Sequence, residues 1–315
     1  MGRRVLLTGG SSFTGLWIAE ALAQAGFEVL APLLRERSAY EGVRLERVRR
    51  LERCADVTFA RPFGSDALLC DIRASGGVDV LAHHAAHITN YRDPAFDAAD
   101  AVARNTNGLP ATLAALRDAG AGLVILTGSI FEAGEGGDGP AAPWVTPYGL
   151  SKTLTREAFD DAVGAAGLRF ARFVIPSPYG PFEERRFGWH LFRSWFAGET
   201  PLVRTPLYIR DHLPAPQLAA AYVACLTRWL ADDDGERVAR PSGWIASQGD
   251  FAARVAAEAA RRLAFGCPLE MADQSSFDEP RVRVNADPGA GGDETAFWDD
   301  YVGWYANLHA RGELV

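Results

Sequence analysis

Lysine is almost absent from this chain. Of 32 basic side chains in 315 residues, 31 are arginines and only Lys152 is a lysine. Basic charge is also outnumbered, since 40 carboxylates leave a net charge of −8. That balance offers no electrostatic footprint for a nucleic-acid backbone or an anionic membrane, so a small-molecule partner is expected. No apolar run approaches the roughly 18 residues of a membrane-spanning helix. The N-terminus enters a buried-strand pattern without a signal peptide's apolar region and cleavage site, and a cytoplasmic protein is expected. Cys54, Cys70, Cys225 and Cys267 lie far apart with no C-x-x-C pair, which speaks against a disulfide framework or a zinc site. Hydrophobic residues make up 48% of the chain, enough for a sizeable core in one large domain or two that share an interface.

The N-terminal half alternates short apolar runs with helical patterns, the signature of a doubly wound α/β fold with a parallel sheet covered on both faces. Strands are expected at Val5 to Leu7, Phe27 to Leu34, Val78 to Ala82, Leu123 to Leu126 and Arg169 to Ile175. Helices are expected over Leu16 to Ala25, before Gly120, from near Pro147, and over Leu218 to Leu230. Residues 1–175 read as a dinucleotide-binding domain that residues 212–240 rejoin. The remainder of 176–315, richer in aromatics and proline, reads as a smaller, discontinuous C-terminal substrate domain. The stretch Glu132 to Pro143 reads as a loop too poor in side chains to pack, immediately before a helix of interest.

Between the first strand and helix lies TGGSSFTG, Thr8 to Gly15, whose small residues let the backbone turn tightly and approach a diphosphate at a helix N-terminus. An ordinary strand-to-helix loop is the alternative. Further on, Thr146, Pro147 and Tyr148 open a helix in the order that capping favours. Tyr148 and Lys152 stand four apart and share a helix face, where an ammonium can favour a phenolate and make it a usable acid or base. With eight tyrosines in the chain, chance places the sole lysine four residues after one of them about once in forty. A chain that uses arginine for every other basic role has kept lysine where a planar guanidinium is a poor substitute. Ser129 follows the strand at Leu123 to Leu126, at the carboxyl edge where open α/β sheets bind ligands. His83 and His84 are adjacent on a strand and point to opposite faces, so no metal site is expected.

These motifs together resemble the extended short-chain dehydrogenase/reductases, in particular the NAD-dependent epimerase/dehydratase family of nucleotide-sugar enzymes. TGGSSFTG is similar to the family's T-G-x-x-G-x-x-G, with Ser12 where glycine is usual. HHAAH at His83 to His87 resembles its H-L-A-A, and NTNG at Asn105 to Gly108 its N-x-x-G. The resemblance implies cofactor contacts at Gly9, Ser11, Ser12, Phe13, Gly15, Arg35, His84, Ala85, Asn105, Thr127, Tyr148, Lys152 and Pro176, with Ser129, Tyr148 and Lys152 catalytic. The family's acidic ribose ligand is missing after the second strand, and Arg35 follows there. It either favours a 2′-phosphate, so that NADP is preferred over NAD, or starts the basic surface helix RLERVRRLER.

PSPYGP, Pro176 to Pro181, resembles the family's N-x-Y-G-P with Ser177 at the asparagine, and YIRDH its R-D segment. The resemblance implies substrate contacts at Ser129, Ser177, Arg210 and Arg281, with Arg283 beside them as a further phosphate clamp. It also implies a homodimer. The expected activity is epimerisation of a nucleotide-linked sugar through a transient keto intermediate. An NADPH-dependent reductase of a keto-sugar or other carbonyl is one alternative, and a non-catalytic dinucleotide-sensing protein is the other.

Overall fold

The structure is a computed structural model that describes residues 2–137, 142–231, 235, 237–288 and 291–314. The first half of the chain runs β1 (Arg4–Thr8), α1 (Phe13–Gln24), β2 (Glu28–Pro32), α2 (Gly42–Leu51), β3 (Asp56–Thr58), α3 (Asp66–Ala74), β4 (Val80–His83), α4 (Ala98–Asn105), α5 (Leu109–Asp118) and β5 (Leu123–Ser129). There follow α6 (Thr146–Ala165), β6 (Arg169–Ile175), β7 (Ser177–Tyr179), α7 (Phe187–Phe196), β8 (Leu202–Val203), β9 (Ile209–Pro214), α8 (Ala215–Ala231) and β10 (Val238–Ala239). The last elements are β11 (Trp244–Ser247), α9 (Gln248–Arg262), β12 (Glu270–Met271), β13 (Val282–Arg283) and α10 (Glu294–Ala310).

Seven strands form a parallel sheet in the order β10-β6-β5-β4-β1-β2-β3. Its strands are apolar on both faces because helices cover both. Period-two alternation divides them: Val5, Leu7, Val80, Ala82, Leu123 and Ile125 enter a core with α1 and α8, while Leu6, Leu81, Val124 and Leu126 enter another with α3, α5 and α6. The reversal of strand order between β1 and β4 opens a crevice at their carboxyl ends. The helix expected before Gly120 is two helices, broken where Gly108 takes φ +61° in close contact with the backbone of Gly64. Helix α8 packs on α1, and Val238 and Ala239 of β10 pair with Arg172 and Phe173 of β6.

The C-terminal part has its own aromatic core, in which Trp189, Phe192 and Trp195 of α7 meet Phe251 of α9 and Tyr301, Trp304 and Tyr305 of α10. A second sheet, β11-β9-β13 with β7 also on β9, joins it to the first. Two acidic residues follow the YGP segment, Glu183 buried and Glu184 partly exposed. Arg47 of α2, wholly buried, donates to the carboxylate of Glu184 and to the carbonyl of Phe182, tying α2 to this segment. Glu183 accepts hydrogen bonds from Tyr301 and Tyr305, and burial pushes its carboxyl up to about 7 despite those bonds.

A raised carboxyl pKa makes the folded state hold a proton that the unfolded chain has released, so stability falls as pH rises through that window. The window runs from the ordinary 4.5 to about 7. Glu183→Gln therefore flattens the fall in melting temperature between those pH values, as read by calorimetry. An identical pH dependence in the variant would show that Glu183 titrates normally.

Candidate active site

Three segments meet at the carboxyl edge of the large sheet: the turn between β1 and α1, the ends of β4 and β5, and the first turn of α6. In the glycine-rich turn Gly9 takes φ +74°, and a Cβ there would stand 2.8 Å from the amide nitrogen of Ala85. A Cβ on Gly15 would collide with the carbonyl of Gly9. Ser12, where the family has glycine, adopts φ −76° and ψ 168°, an extended conformation open to any residue. Its hydroxyl accepts from the amide of Gly15 at 3.1 Å and caps α1. The first turn of α1 carries no acidic residue, so the positive end of its dipole suits a diphosphate. Ser11 and Phe13 complete the turn.

His84 ties that turn to the sheet. One ring nitrogen lies 2.9 Å from the hydroxyl of Thr14 and the other 2.9 Å from that of Thr127, while Thr8 accepts from the amides of His84 and Ala85. Burial holds the imidazole down to about 3, so it is neutral. His83 points the other way, packing against Phe63 and Phe159. Among the described residues no group of three or more His, Cys, Asp or Glu is placed to hold a metal ion.

Lys152 is 5% exposed, and its ammonium donates to the carbonyl of Thr127 at 2.6 Å. The tyrosine lies nearby but in different company. Its ring stands 5.1 Å from Tyr91, with Phe96 and Phe131 at 6.3 and 6.4 Å. Burial, then the charge of Glu132, push the phenol above its usual range, and the hydroxyl of Ser129 pulls the other way. Tyr148 and Lys152 share a helix face, and the ammonium reaches down to the carbonyl at the end of β5. Ser129 ends β5 beside them, 8% exposed.

The sequence reading missed what lies underneath. Glu132 accepts from the amide of Ser129 at 2.8 Å and from Arg172 at 3.1 Å. Arg172 also donates to Glu135, which in turn accepts from Arg240 at 2.6 Å. Both glutamates are almost fully buried, so the stretch read as unable to pack is anchored through charge; its residues 138–141 lie outside the described ones. Glycine makes the room, since a Cβ on Gly128 would stand 3.1 Å from the Glu132 carboxylate. Two glutamates three apart among glycines were the available signal.

Arg35 is exposed and lies ahead of α2, which starts only at Gly42, so it does not begin the basic helix. Among the described residues its guanidinium has no partner. Asn105 uses its side-chain amide within the chain, accepting from the amide of His87 and donating to Thr155, which braces the His87 segment. Pro176 is buried between β6 and β7, and Ser177 opens β7 opposite His212 of β9.

The arginine clamp is not assembled. Arg210 is buried, donating to the carbonyls of Ile209, Pro280 and Arg281 and, at 2.6 Å, to Glu279. Arg281 is exposed, bonded to the carbonyl of Leu207 and lying over Phe277. Arg283 is buried and holds the carbonyls of Ile130 and Pro143, so it clasps the loop before α6. A cavity of about 360 Å³ lies beside Arg210, lined also by Thr146, Thr205, Tyr208, Gln248, Asp278 and Glu279. A larger one, about 620 Å³, lies among β1, β2, β3 and α3, and none of the candidate site residues lines it.

The family model for the NAD dependent epimerase/dehydratase family matches residues 5–239, and the chain belongs to that family. No curated protein matches it by sequence. Among solved structures, UDP-glucuronic acid 4-epimerase from Bacillus cereus, in complex with UDP-glucuronic acid and NAD, is 15% identical with a TM-score of 0.71, over 97% of this chain and 99% of that one. UDP-glucose 4-epimerase from Stenotrophomonas maltophila, with NAD and formylated UDP-arabinopyranose, is 19% identical with a TM-score of 0.72, over 98% and 99%. A dTDP-glucose 4,6-dehydratase from Streptomyces venezuelae, with NAD bound, is 19% identical with a TM-score of 0.71, over 98% of each chain. At these identities the likeness shows the fold, and with the family it marks an enzyme of the short-chain dehydrogenase/reductase type.

Glu132 gives this site a directional test. Its charge raises the phenol of Tyr148, so Glu132→Gln lets the tyrosine ionise at lower pH. The limb of the pH profile on which turnover rises moves to lower pH. A limb that stays in place would show that Glu132 and Tyr148 do not sense each other.

Proposed function

We propose that this member of the NAD-dependent epimerase/dehydratase family epimerises a nucleotide-linked sugar through a transient keto intermediate. The observation that carries the reading is the convergence of Ser129, Tyr148 and the buried Lys152 at the end of β5, beside a helix N-terminus shaped for a diphosphate. A bound nicotinamide dinucleotide supplies the hydride acceptor and donor. Gly9, Ser11, Ser12, Phe13 and Gly15 would hold its diphosphate, with Ala85, Thr127, Lys152 and Pro176 along the crevice and His84 bracing the turn against Thr127.

Tyr148 takes the hydroxyl proton of the sugar as its carbon is oxidised and returns it on reduction, while the Ser129 hydroxyl holds the same oxygen. Burial opposes the phenolate in the free protein, so the phenol loses its own proton to solvent before Tyr148 accepts the sugar's. Lys152 fixes the segment geometrically through Thr127 and adds positive charge to the crevice floor. The aromatic rings of Tyr91, Phe96 and Phe131 exclude water from around the phenol.

Arg35 favours the phosphorylated dinucleotide on this reading, although the solved neighbours named above hold NAD. That residue also supports the second reading, a reductase that uses the same three residues once per reduced cofactor. Cofactor stoichiometry separates the two. An epimerase interconverts a matched sugar nucleotide without net change in nicotinamide absorbance, whereas stoichiometric oxidation of added reduced cofactor would establish the reductase.

Two substitutions test the shared chemistry. Tyr148→Phe is expected to lower kcat by at least about a hundredfold while dinucleotide affinity holds, because only the proton-transfer group is lost. Lys152→Arg is nearly as damaging, since the forked head does not fit the 2.6 Å contact with the Thr127 carbonyl. Near-normal turnover in either variant would remove the proposed mechanism. For the cofactor, Arg35→Ala weakens NADP binding about tenfold and leaves NAD unchanged, as measured by titration; equal affinities unaffected by the substitution would exclude Arg35 from recognition.

A further inference from the structure

Some exposed arginines on this chain carry a carboxylate, as Arg37 does with Glu52, Arg104 with Asp100 and Arg261 with Glu258. Others do not, and several of these gather at the mouth of the cleft. Among the described residues, Arg92, Arg185, Arg186 and Arg193 have no ion-paired carboxylate. The nearest candidates are already engaged: Glu183 by Tyr301 and Tyr305, Glu184 by Arg47.

These arginines are held together by aromatic rings. The guanidinium of Arg185 lies 4.9 Å from the centre of the Trp189 ring and that of Arg193 lies 5.6 Å from it. His190, its ring 5.0 Å from Trp189, is held below its usual pKa first by burial and then by Arg92, Arg193 and Arg185. Arg92 follows Tyr91, whose ring packs against Tyr148. Arg186 lies over Phe13 of the glycine-rich turn, 5.5 Å from the ring centre, and its charge reaches Tyr148. A run of positive charge thus passes from the cofactor turn, past the reacting tyrosine, to the outer face of α7. In a chain of net charge −8 that concentration is local. Glu184 partly meets the charge of Arg186, whereas Arg92, Arg185 and Arg193 repel one another, and an oxyanion relieves that repulsion. The other end of the cleft is built in the opposite sense: the Arg210 guanidinium is satisfied within the chain, and Asp278 and Glu279 line the cavity beside it.

We propose that Arg92, Arg185 and Arg193 form an oxyanion site at the cleft mouth that takes a phosphate or carboxylate group of the substrate, in place of the clamp expected at Arg210. The proposal rests on the nucleotide-sugar reading for the identity of that substrate. Guanidinium groups suit either oxyanion through paired hydrogen bonds, and the Trp189 ring orders two of them in advance.

The test uses the full chain saturated with dinucleotide and compares it with the double variant Arg185→Gln/Arg193→Gln, whose side chains are exposed and whose fold is verified by its melting temperature. Calorimetric titration with UDP-glucose and with UDP-glucuronic acid is expected to give a Kd at least tenfold weaker in the double variant and a flatter salt dependence. Weakening of both ligands identifies the diphosphate as the group bound, and weakening of the uronic acid alone identifies the sugar carboxylate. Unchanged affinity for both overturns the site, most directly if Arg210→Ala weakens them instead. If the wild-type protein binds neither sugar nucleotide, the nucleotide-sugar reading fails by itself. Inorganic pyrophosphate then decides the oxyanion site: binding that the double variant loses sustains it, and no binding, or binding that the variant retains, overturns it.

Discussion

A single buried contact organises the site: the ammonium of Lys152 on the carbonyl of Thr127. It joins α6 to the end of β5, and so fixes where Tyr148 stands relative to Ser129. A buried ammonium is costly unless paired and hydrogen-bonded, and burial lowers the pKa of Lys152. The negative charge of Glu132 opposes that shift. Thr127 also offers its hydroxyl to His84, whose other nitrogen reaches Thr14 of α1. One strand end therefore sets the positions of Tyr148, Lys152 and the glycine-rich turn together.

Glu132 has two consequences that pull against each other. It balances Lys152 and Arg172, which makes the buried charges tolerable, and it raises the phenol of Tyr148, which makes the phenolate harder to reach. The bond from Ser129's amide to Glu132 holds the backbone of the serine, leaving its hydroxyl toward the tyrosine. Through Arg172, Glu135 and Arg240 the same network extends to the edge of β10. Removal of one partner would leave a buried charge uncompensated, typically a loss of about 3–5 kcal/mol.

Most of the large sheet was legible because its strands are short apolar runs and its helices are amphipathic or punctuated by glycine; the range Arg169 to Ile175 is a strand with those same ends. The three-residue β3 and two-residue β10 were not, because so few residues carry no periodicity and their pairing is set by distant strands. The sequence could place Ser129, Tyr148 and Lys152 on their elements, since spacing along a strand end and a helix determines that. It could not say where long side chains go. Lys152 turns to a carbonyl, and Arg210 and Arg283 turn inward to carbonyls of their own chain, choices fixed by tertiary neighbours. For the same reason the charged anchoring of Glu132 and Glu135 was hidden inside a glycine-rich stretch that looked unstructured.

As an epimerase, the enzyme would take hydride from a sugar and return it to the same sugar, with Tyr148 carrying the proton each way. The most direct measurement is mass spectrometry of products formed from a mixture of unlabelled and ring-deuterated sugar nucleotide, without added reduced cofactor. An epimerase yields product in which each molecule keeps its full original label, with no deuterium in released cofactor. Deuterium recovered in free reduced cofactor, with matching loss from the sugar, would contradict that reading.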